Sequence, residues 1–138
     1  MIHGKLIVQP TRGFSEIQDL TAEVQAVVEE SGLGEGIVNV FAVGSTATIT
    51  TIEFEPALVA DMTEALEKLW PKEMPTRHGS TLGDDNGFSH LRASFLGPGQ
   101  TIPLHQGKLV LGTWQQIVVI DHDNTPRERK VFVQIVGE

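Results

Sequence analysis

The chain contains no cysteine among its 138 residues. It therefore forms no disulfide and has no thiolate nucleophile, and any metal site must use nitrogen and oxygen ligands. No apolar run approaches the ~20 residues that span a bilayer. The first ten residues also lack the charged-then-apolar order of a signal peptide. We expect no membrane partner and a cytoplasmic location.

Positive charge is scarce, with 10 Lys and Arg against 18 Asp and Glu and a formal net charge of −8. Binding to nucleic acid needs clustered cations that face phosphates, so nucleic acid is not an expected partner. The one basic cluster, Arg127, Arg129 and Lys130, is interrupted by Glu128. The composition is 40% hydrophobic and 20% charged, as in an ordinary globular protein. We expect a single domain over residues 1–138.

Two helices are predicted in the first half of the chain. Apolar residues recur at helical spacing behind a Ser15-to-Gln18 capping-box pattern, which predicts a helix over 15–31. Glu55-Pro56 begins a second helix that Pro71 stops. Loosely alternating or β-branched runs predict three strands, at 2–9, 37–43 and 45–54.

A polar segment, residues 72–89, follows and reads as a long loop of the kind that is usually functional or disordered. Short strands separated by turn residues are predicted after it, near 91–97, 100–104, 107–112, 115–121 and 129–136. Strands and helices do not alternate regularly. The fold class is therefore predicted as α+β, mostly antiparallel sheets with two main helices.

Four of the five histidines lie between residues 78 and 123, among several acids. The histidines are His78, His90, His105 and His122, and the acids include Asp84, Asp85, Asp121 and Asp123. Imidazoles and carboxylates on short loops are the materials of a metal or acid/base site. His78 and His90 bracket the polar loop and could converge on Zn²⁺, or both could be surface histidines. His105 suits an exposed hairpin turn, and His122 could be oriented by its flanking carboxylates or simply end a strand.

Further candidate groups lie on neighbouring segments. Glu53 and Glu55 fall on one face of a strand, where they could share acid and base roles, although Glu55 also suits a helix N-terminus. The turn from Gly44 to Ala47 could offer hydroxyls and amides, including Ser45 and Thr46, to a phosphate. Arg127 and Arg129 should point the same way and form an anion clamp, or else a solvated strand edge.

Trp114 follows Gly112-Thr113. It could be a stacking platform, but a buried position is the better expectation because Trp mostly buries.

An ordered series of short motifs resembles the YjbQ-like family, whose members carry the label secondary thiamine-phosphate synthase enzyme. The series covers nearly the whole chain: Arg12-Gly13-Phe14, Gly44-Ser45-Thr46-Ala47, Glu53, Pro56, Asn86-Gly87, Ser89 to Ser94, Leu96-Gly97, Gly107-Lys108-Leu109, Leu111 to Gln115, Pro126 to Arg129 and Gly137-Glu138. Two positions depart from it. Many members have His where this chain has Gly44, and Asp where it has Gly79.

The resemblance implies an α+β fold with antiparallel sheets, a homotrimer, and a divalent metal (zinc or magnesium) held by His78 and His90. It also implies a weak synthase activity that joins a pyrimidine diphosphate to a thiazole phosphate. As candidates for such an enzyme we take Glu53 and His90 for catalysis and, for the substrate, Ser45, Thr46, Trp114, Gln115, Arg127 and Arg129.

Three functions stay open at this point. The first is a metal-assisted enzyme that acts on a small phosphorylated heterocycle. The second is a non-catalytic protein that binds a small metabolite or a metal. The third is a hydrolase of small phosphate esters.

Overall fold

The computed structural model describes residues 1–83 and 85–138, and only the backbone of residues 80–82. Asp84, one of the acids of the histidine-rich segment, lies outside the described residues. Within these residues the strands are β1 Ile2–Thr11, β2 Glu16–Asp19, β3 Gly36–Val43, β4 Ala47–Glu53, β5 Gly99–His105, β6 Lys108–Leu109, β7 Gln115–Asp121 and β8 Arg127–Gly137. The helices of the same residues are α1 Thr21–Ser31, α2 Pro56–Leu69, α3 Arg77–Leu82 and α4 Gly87–Leu96.

The strands form two antiparallel sheets. One has the order β1-β8-β3-β5-β6, and the other has the order β2-β7-β4. The inner faces of both sheets and one side of α1 share an apolar core that includes Val24, Val40, Ile49, Ile117 and Val133. The α+β class with antiparallel sheets is thus confirmed.

The three-stranded sheet is buried on both faces. Ile117 and Val119 of β7 enter the core shared with the larger sheet, while Val118 and Ile120 pack in a second cluster with Leu66 of α2. A strand covered on both faces needs an unbroken apolar sequence, which explains the run from 117 to 120. The polar residues that follow this run are therefore carried into a buried position.

The outer face of the five-stranded sheet is apolar and uncovered. Side chains on this face belong to alternate positions of β1, β3 and β8, as expected when successive side chains point to opposite faces. The large ones are Ile2, Leu6, Val8, Ile37, Phe41, Phe132 and Val136, each between 37% and 67% exposed. We call these seven residues the outer apolar face.

The helix predicted over 15–31 is wrong in its first turn. Phe14 and Ser15 have φ values of 56° and 62°, which no α-helix can contain. Residues 16–19 instead pair with β7 as β2, and the helix begins at Thr21. Pairing with an otherwise open strand edge outweighs the helical pattern.

The segment 72–97 also differs from its prediction. The polar loop contains α3, and the strand expected near 91–97 is part of α4. Among its buried residues, Arg92 lies four positions after Phe88 and Ala93 follows directly, which is helical spacing. The predicted strand failed because a buried Arg breaks the apolar pattern.

Among the described residues, no helix is long and apolar enough to cross a membrane.

Candidate functional site: a cleft lined by arginines and histidines

A cleft of about 750 Å³ lies at one end of the sheets. It forms where the β3–β4 turn, the segment after β7 and the start of β8 meet residues of α3 and α4. Its lining consists of Val43, Gly44, Ser45, Thr46, His78, Asn86, His90, Asp123, Pro126, Arg127, Glu128, Arg129 and Lys130. Six of the predicted site residues therefore border one cavity: His78, His90, Ser45, Thr46, Arg127 and Arg129.

Two buried carboxylates organise the base of this cleft. Asp121 accepts hydrogen bonds from Arg129 Nη2 at 2.5 Å, from the Thr11 hydroxyl, and from the backbone N–H of Asp123 at 3.0 Å. Both acids are at most 1% exposed. They occur here because Asp121 is the last residue of the buried strand β7 and Asp123 follows two positions later.

Asp123 is saturated with donors. It accepts from Arg127 Nε at 2.7 Å, from the Thr46 hydroxyl at 2.9 Å, from Asn86 Nδ2 at 3.2 Å and from the Asn124 N–H at 2.8 Å. Burial raises its pKa, but these hydrogen bonds together outweigh burial and hold the pKa below the ordinary value. A carboxylate so engaged positions its neighbours rather than accepting a substrate proton.

Arg129 is buried but incompletely paired. The residue is 6% exposed, and its Nη2 donates to Asp121, to the Thr46 hydroxyl at 2.6 Å and to the Thr46 carbonyl at 3.2 Å. Its Nε is buried without a hydrogen-bond partner among the described residues. Its Nη1 lies 3.1 Å from the point where a Cβ on Gly44 would stand. The absence of a side chain at Gly44 thus lets the guanidinium lie close to this backbone position, and both residues line the cleft.

Arg127 adds a second guanidinium on the same face of β8. Its side chain is 47% exposed and its Nε is held by Asp123, whereas its two terminal nitrogens make no hydrogen bond to a described residue. Arg127 and Arg129 therefore point the same way, as their spacing predicted. The alternative, a solvated strand edge, does not describe Arg129.

His78 and His90 come together as the histidine spacing suggested. Their ring centroids are 4.5 Å apart with an interplanar angle of 61°. His78 Nε2 lies 3.0 Å from Oδ1 of the Asn86 side chain. This amide oxygen can only accept a hydrogen bond, so Nε2 carries the proton of the neutral ring. Asn86 in turn donates to Asp123 and so connects the imidazole pair with the carboxylate.

His122 does not face the cleft. It is fully buried, and its ring contacts the hydroxyls of Ser15 and Thr48, each at 3.0 Å, rather than the flanking carboxylates. Ser15 also accepts from Arg92 Nη1 at 2.9 Å, so its hydroxyl lies between the guanidinium and His122 Nδ1. Sequence reasoning missed Arg92, because nothing in its spacing separates a buried Arg from a surface one.

A different group of predicted site residues lies elsewhere. Glu53, Trp114 and Gln115 border a shallow cavity of about 340 Å³. Glu53 ends the seven-residue strand β4, which begins just after Thr46, so the two lie roughly 20 Å apart. The chain therefore does not bring Glu53, Trp114 or Gln115 to the histidines. The expected burial of Trp114 is wrong, since it is 71% exposed in a surface turn.

Glu55 and His105, the two remaining candidates, have the structural positions that their sequence context also suggested. Glu55 is the N-cap of α2, and its carboxylate accepts from the N–H groups of Ala57 at 2.6 Å and Leu58 at 3.1 Å. His105 is exposed at the β5–β6 hairpin and lies 3.0 Å from a carboxylate oxygen of Glu35.

Fold and cleft together describe a small α+β protein with a cleft, lined by arginines and histidines, that rests on a buried polar network. The chain belongs to the UPF0047 protein YjbQ-like family, whose model matches residues 5–138. The resemblance seen in the motifs is confirmed. It is 40% identical to a UPF0047 protein of Methanothermobacter thermautotrophicus, over 89% of this chain and 84% of that one. It is 32% identical to YugU of Bacillus subtilis, over 88% and 90%.

Solved structures of two archaeal proteins have the same fold. A YbjQ-like protein of unknown function from Sulfolobus solfataricus matches with a TM-score of 0.89, 34% identity and full coverage of both chains. A hypothetical protein from Aeropyrum pernix matches with a TM-score of 0.91 and 30% identity over 99% of each chain. None of these four names assigns an activity.

Proposed function

We propose that the cleft binds the phosphate group of a small phosphorylated heterocycle and that His78 and His90 act on the bound molecule. The observation that carries this proposal is Arg129, a buried guanidinium whose Nε has no hydrogen-bond partner among the described residues and whose Nη1 lies close to Gly44. A buried cation with an unmatched donor is costly unless a bound group completes it.

Phosphate suits this cleft better than a neutral ligand. Arg127, Arg129 and Lys130 border it and outnumber the one further acid among its described lining residues, Glu128, while the charge of Asp123 is already engaged by its own donors. The formal net charge of the whole chain is −8, so this cluster of cations stands out. Guanidinium forks match pairs of phosphate oxygens and form charge-assisted hydrogen bonds with them.

The imidazole pair supports a role in proton transfer. Imidazole is the side chain that exchanges protons near neutral pH. The side-chain carbonyl of Asn86 orients the His78 ring and holds a proton on its Nε2. His90 is the partner that could pass this proton on, since the two rings are in contact.

A divalent metal, zinc or magnesium, fits the described residues only in part. His78 and His90 supply two nitrogen ligands, but the described part of the chain holds no cluster of three or more His, Asp or Glu placed for a metal. Enzyme zinc sites use three protein ligands. We therefore propose that this pair binds a metal weakly and that the chemistry at the cleft does not depend on the metal.

A thiamine-phosphate synthase activity is one candidate reaction, and it rests on the family resemblance. Its measurable product is pyrophosphate, released from the two phosphorylated precursors in the presence of Mg²⁺. The alternative is a non-catalytic metabolite-binding protein, which the distance of Glu53 from the cleft favours, because the carboxylate expected to act as the catalytic base does not reach the histidines. A phosphate-ester hydrolase would release inorganic phosphate instead.

We also propose a homotrimer, whose number of subunits comes from the family resemblance. The outer apolar face supports self-association. Three strands spaced ~4.8 Å apart and about eight residues long present roughly 400 Å², about half of the ~800 Å² per partner of a standard interface. Val43 and Lys130, which pair at the end of this sheet, also line the cleft, so a neighbouring subunit would lie beside it.

The sharpest test of the phosphate site is Gly44→Ala, measured as the Kd for inorganic phosphate. The added Cβ would stand 3.1 Å from Arg129 Nη1. Because charge-assisted hydrogen bonds contribute ~1.5–3 kcal/mol, the Kd should rise roughly 10- to 150-fold. Gly44 has no left-handed φ, so the backbone accepts alanine, whereas the guanidinium of Arg129 must shift by a few tenths of an ångström to admit the Cβ.

Gly112→Ala is the matched control, because its Cβ would make only ordinary contacts, 3.6 Å from Gln115 Oε1, outside this cleft. It should bind phosphate like the unmodified protein, whereas Arg127→Gln should bind more weakly. Equal phosphate affinity in the Gly44, Gly112 and Arg127 variants would refute the proposed site.

A further inference from the structure

A second cleft adjoins the first at the histidine pair. It has a volume of about 990 Å³ and is bordered by Met74, Pro75, Thr76, Arg77, His78, Gly87, His90 and Leu91. His78 and His90 line both clefts. We infer that this second cleft holds the flat apolar body of the ligand whose phosphate lies beside Arg127 and Arg129, so that the imidazole pair stands at the junction of the two parts. This inference rests on the proposed phosphate site.

The chemistry of the second cleft differs from that of the first. Met74, Pro75 and Leu91 offer apolar surface with no hydrogen-bonding side-chain group apart from the weakly accepting Met thioether, and Arg77 is the one cation at its border. A methionine thioether adapts well to flat, polarizable rings. A sugar would leave hydroxyl groups against these side chains without partners, which costs free energy. An aromatic or heteroaromatic phosphate is therefore the expected class of ligand.

The wall of this cleft is fixed in advance of ligand binding. The Thr76 hydroxyl caps α3 by accepting from the Gly79 N–H at 3.1 Å. Thr76 packs directly on Gly87, where a Cβ would meet its hydroxyl oxygen at 2.2 Å, so only glycine allows this approach. The segment that carries Met74 and Pro75 is thereby held against the start of α4.

A stacked pair of rings holds the other end of the same segment. Trp70 and Phe95 have centroids 5.2 Å apart, and they join the end of α2 to α4 just before Pro71. Residues 71–76 are thus held at both ends against α4. A wall fixed in this way lowers the ordering cost of binding.

Calorimetric titration with inorganic phosphate, phenyl phosphate and ribose 5-phosphate tests the inference. Phenyl phosphate should bind at least tenfold more tightly than the other two, because its ring gains apolar contacts. Leu91→Asn and Met74→Gln should each remove most of that advantage and leave the affinity for inorganic phosphate unchanged. Leu69→Asn, on the exposed side of α2, is the control and should change none of the three affinities.

The outcomes separate this inference from the proposed phosphate site. Equal binding of phenyl phosphate and inorganic phosphate would overturn the apolar subsite and leave the phosphate site standing. A preference for phenyl phosphate that survived both the Leu91 and Met74 variants would also overturn it, since the ring would then lie elsewhere. Failure of every phosphate compound to bind would overturn both.

Discussion

His122 should make this protein unstable in acid well above the pH at which its carboxylates titrate. Burial lowers its pKa from 6.5 to about 3, and the nearby charges of Arg92 and Arg129 act in the same direction, with Asp121 opposing them. The ring is held as a neutral base between two hydroxyl groups. The folded protein therefore resists protonation of this ring, whereas the unfolded chain accepts a proton near pH 6.5.

The sign and size of the effect follow from these two pKa values. Because the folded pKa is the lower one, the neutral ring contributes fully to stability above pH 6.5, and that contribution is lost as the pH falls towards 3. The loss amounts to ~1.4 kcal/mol per pH unit within this window, and to about 3 kcal/mol at pH 4. Such a loss is a large fraction of the ~5–15 kcal/mol stability of a typical domain.

Urea unfolding at a series of pH values from 8 to 4 measures this contribution, with His122→Asn as the test variant. The free energy of unfolding of the unmodified protein should fall towards acid, and the slope between pH 6 and 4.5 should be smaller in the variant by about 1.4 kcal/mol per pH unit. His105→Asn, an exposed histidine, is the matched control and should keep most of the slope. Asp123, with its lowered pKa, contributes mainly below this range and is present in all three proteins.

Parallel stability profiles for the unmodified protein and His122→Asn would refute the reasoning. If the variant does not fold, the ring resonances of His122 in the unmodified protein give the answer by NMR. They should not shift between pH 8 and 5, and a titration midpoint near 6.5 would contradict the buried neutral state.

Two further predictions concern the histidine pair and the outer apolar face. Protein purified without an affinity tag should hold less than one equivalent of zinc. This zinc should be lost on dialysis below pH ~6, because protonated imidazole cannot ligate, and it should be absent from His78→Ala and His90→Ala. A full equivalent of zinc that survived the double substitution would place the metal elsewhere. Sedimentation equilibrium should give a trimer for the unmodified protein and for Leu69→Glu, but a smaller species for Phe132→Glu on the outer apolar face. A monomeric unmodified protein at micromolar concentration would contradict the assembly.

The elements predicted best are those whose local pattern agrees with their tertiary surroundings. Strand β8 alternates buried and exposed residues along most of its length, and the two-residue spacing of Arg127 and Arg129 is enough to place both on one face. Helix α2 has both a Pro at its start and a capping Glu55, so its N-terminus could be read directly. Agreement between local preference and global fold makes such segments readable from sequence.

The misread elements are those where tertiary contacts override the local pattern. Ser15 fits an N-cap by residue type, but in the fold its hydroxyl bonds to His122, more than 100 residues away, and its backbone pairs with the end of β7. No spacing rule within a short window can reveal such a partner. The prediction that Trp114 is buried failed because it used only the general preference of Trp for burial, and this preference does not show that the residue lies in a surface turn.

The candidate site was likewise only partly readable. The arginines and histidines were found because their residue types are scarce and clustered, and the structure places them around one cleft. The role of Asn86 was missed, since an amide in a polar turn has no distinctive pattern. It nevertheless joins His78 to Asp123 and fixes the tautomer of the ring.

Departures from ordinary folding preferences gather at the end of the molecule that holds the cleft. Phe14, Ser15 and Asp85 are three of the four described residues other than glycine with positive φ values, and the fourth, Gln106, lies in the β5–β6 hairpin. Such conformations cost on the order of 1–3 kcal/mol each. The first two donate their backbone N–H groups to the carbonyls of Asp123 and Asp121, so the strained turn fastens the segment from which the buried network is built. Arg129 adds a buried donor without a partner among the described residues. Strain and an unsatisfied cation both lower stability, and a fold selected for stability alone would replace them. Their concentration around one cleft is what a site shaped for a ligand predicts.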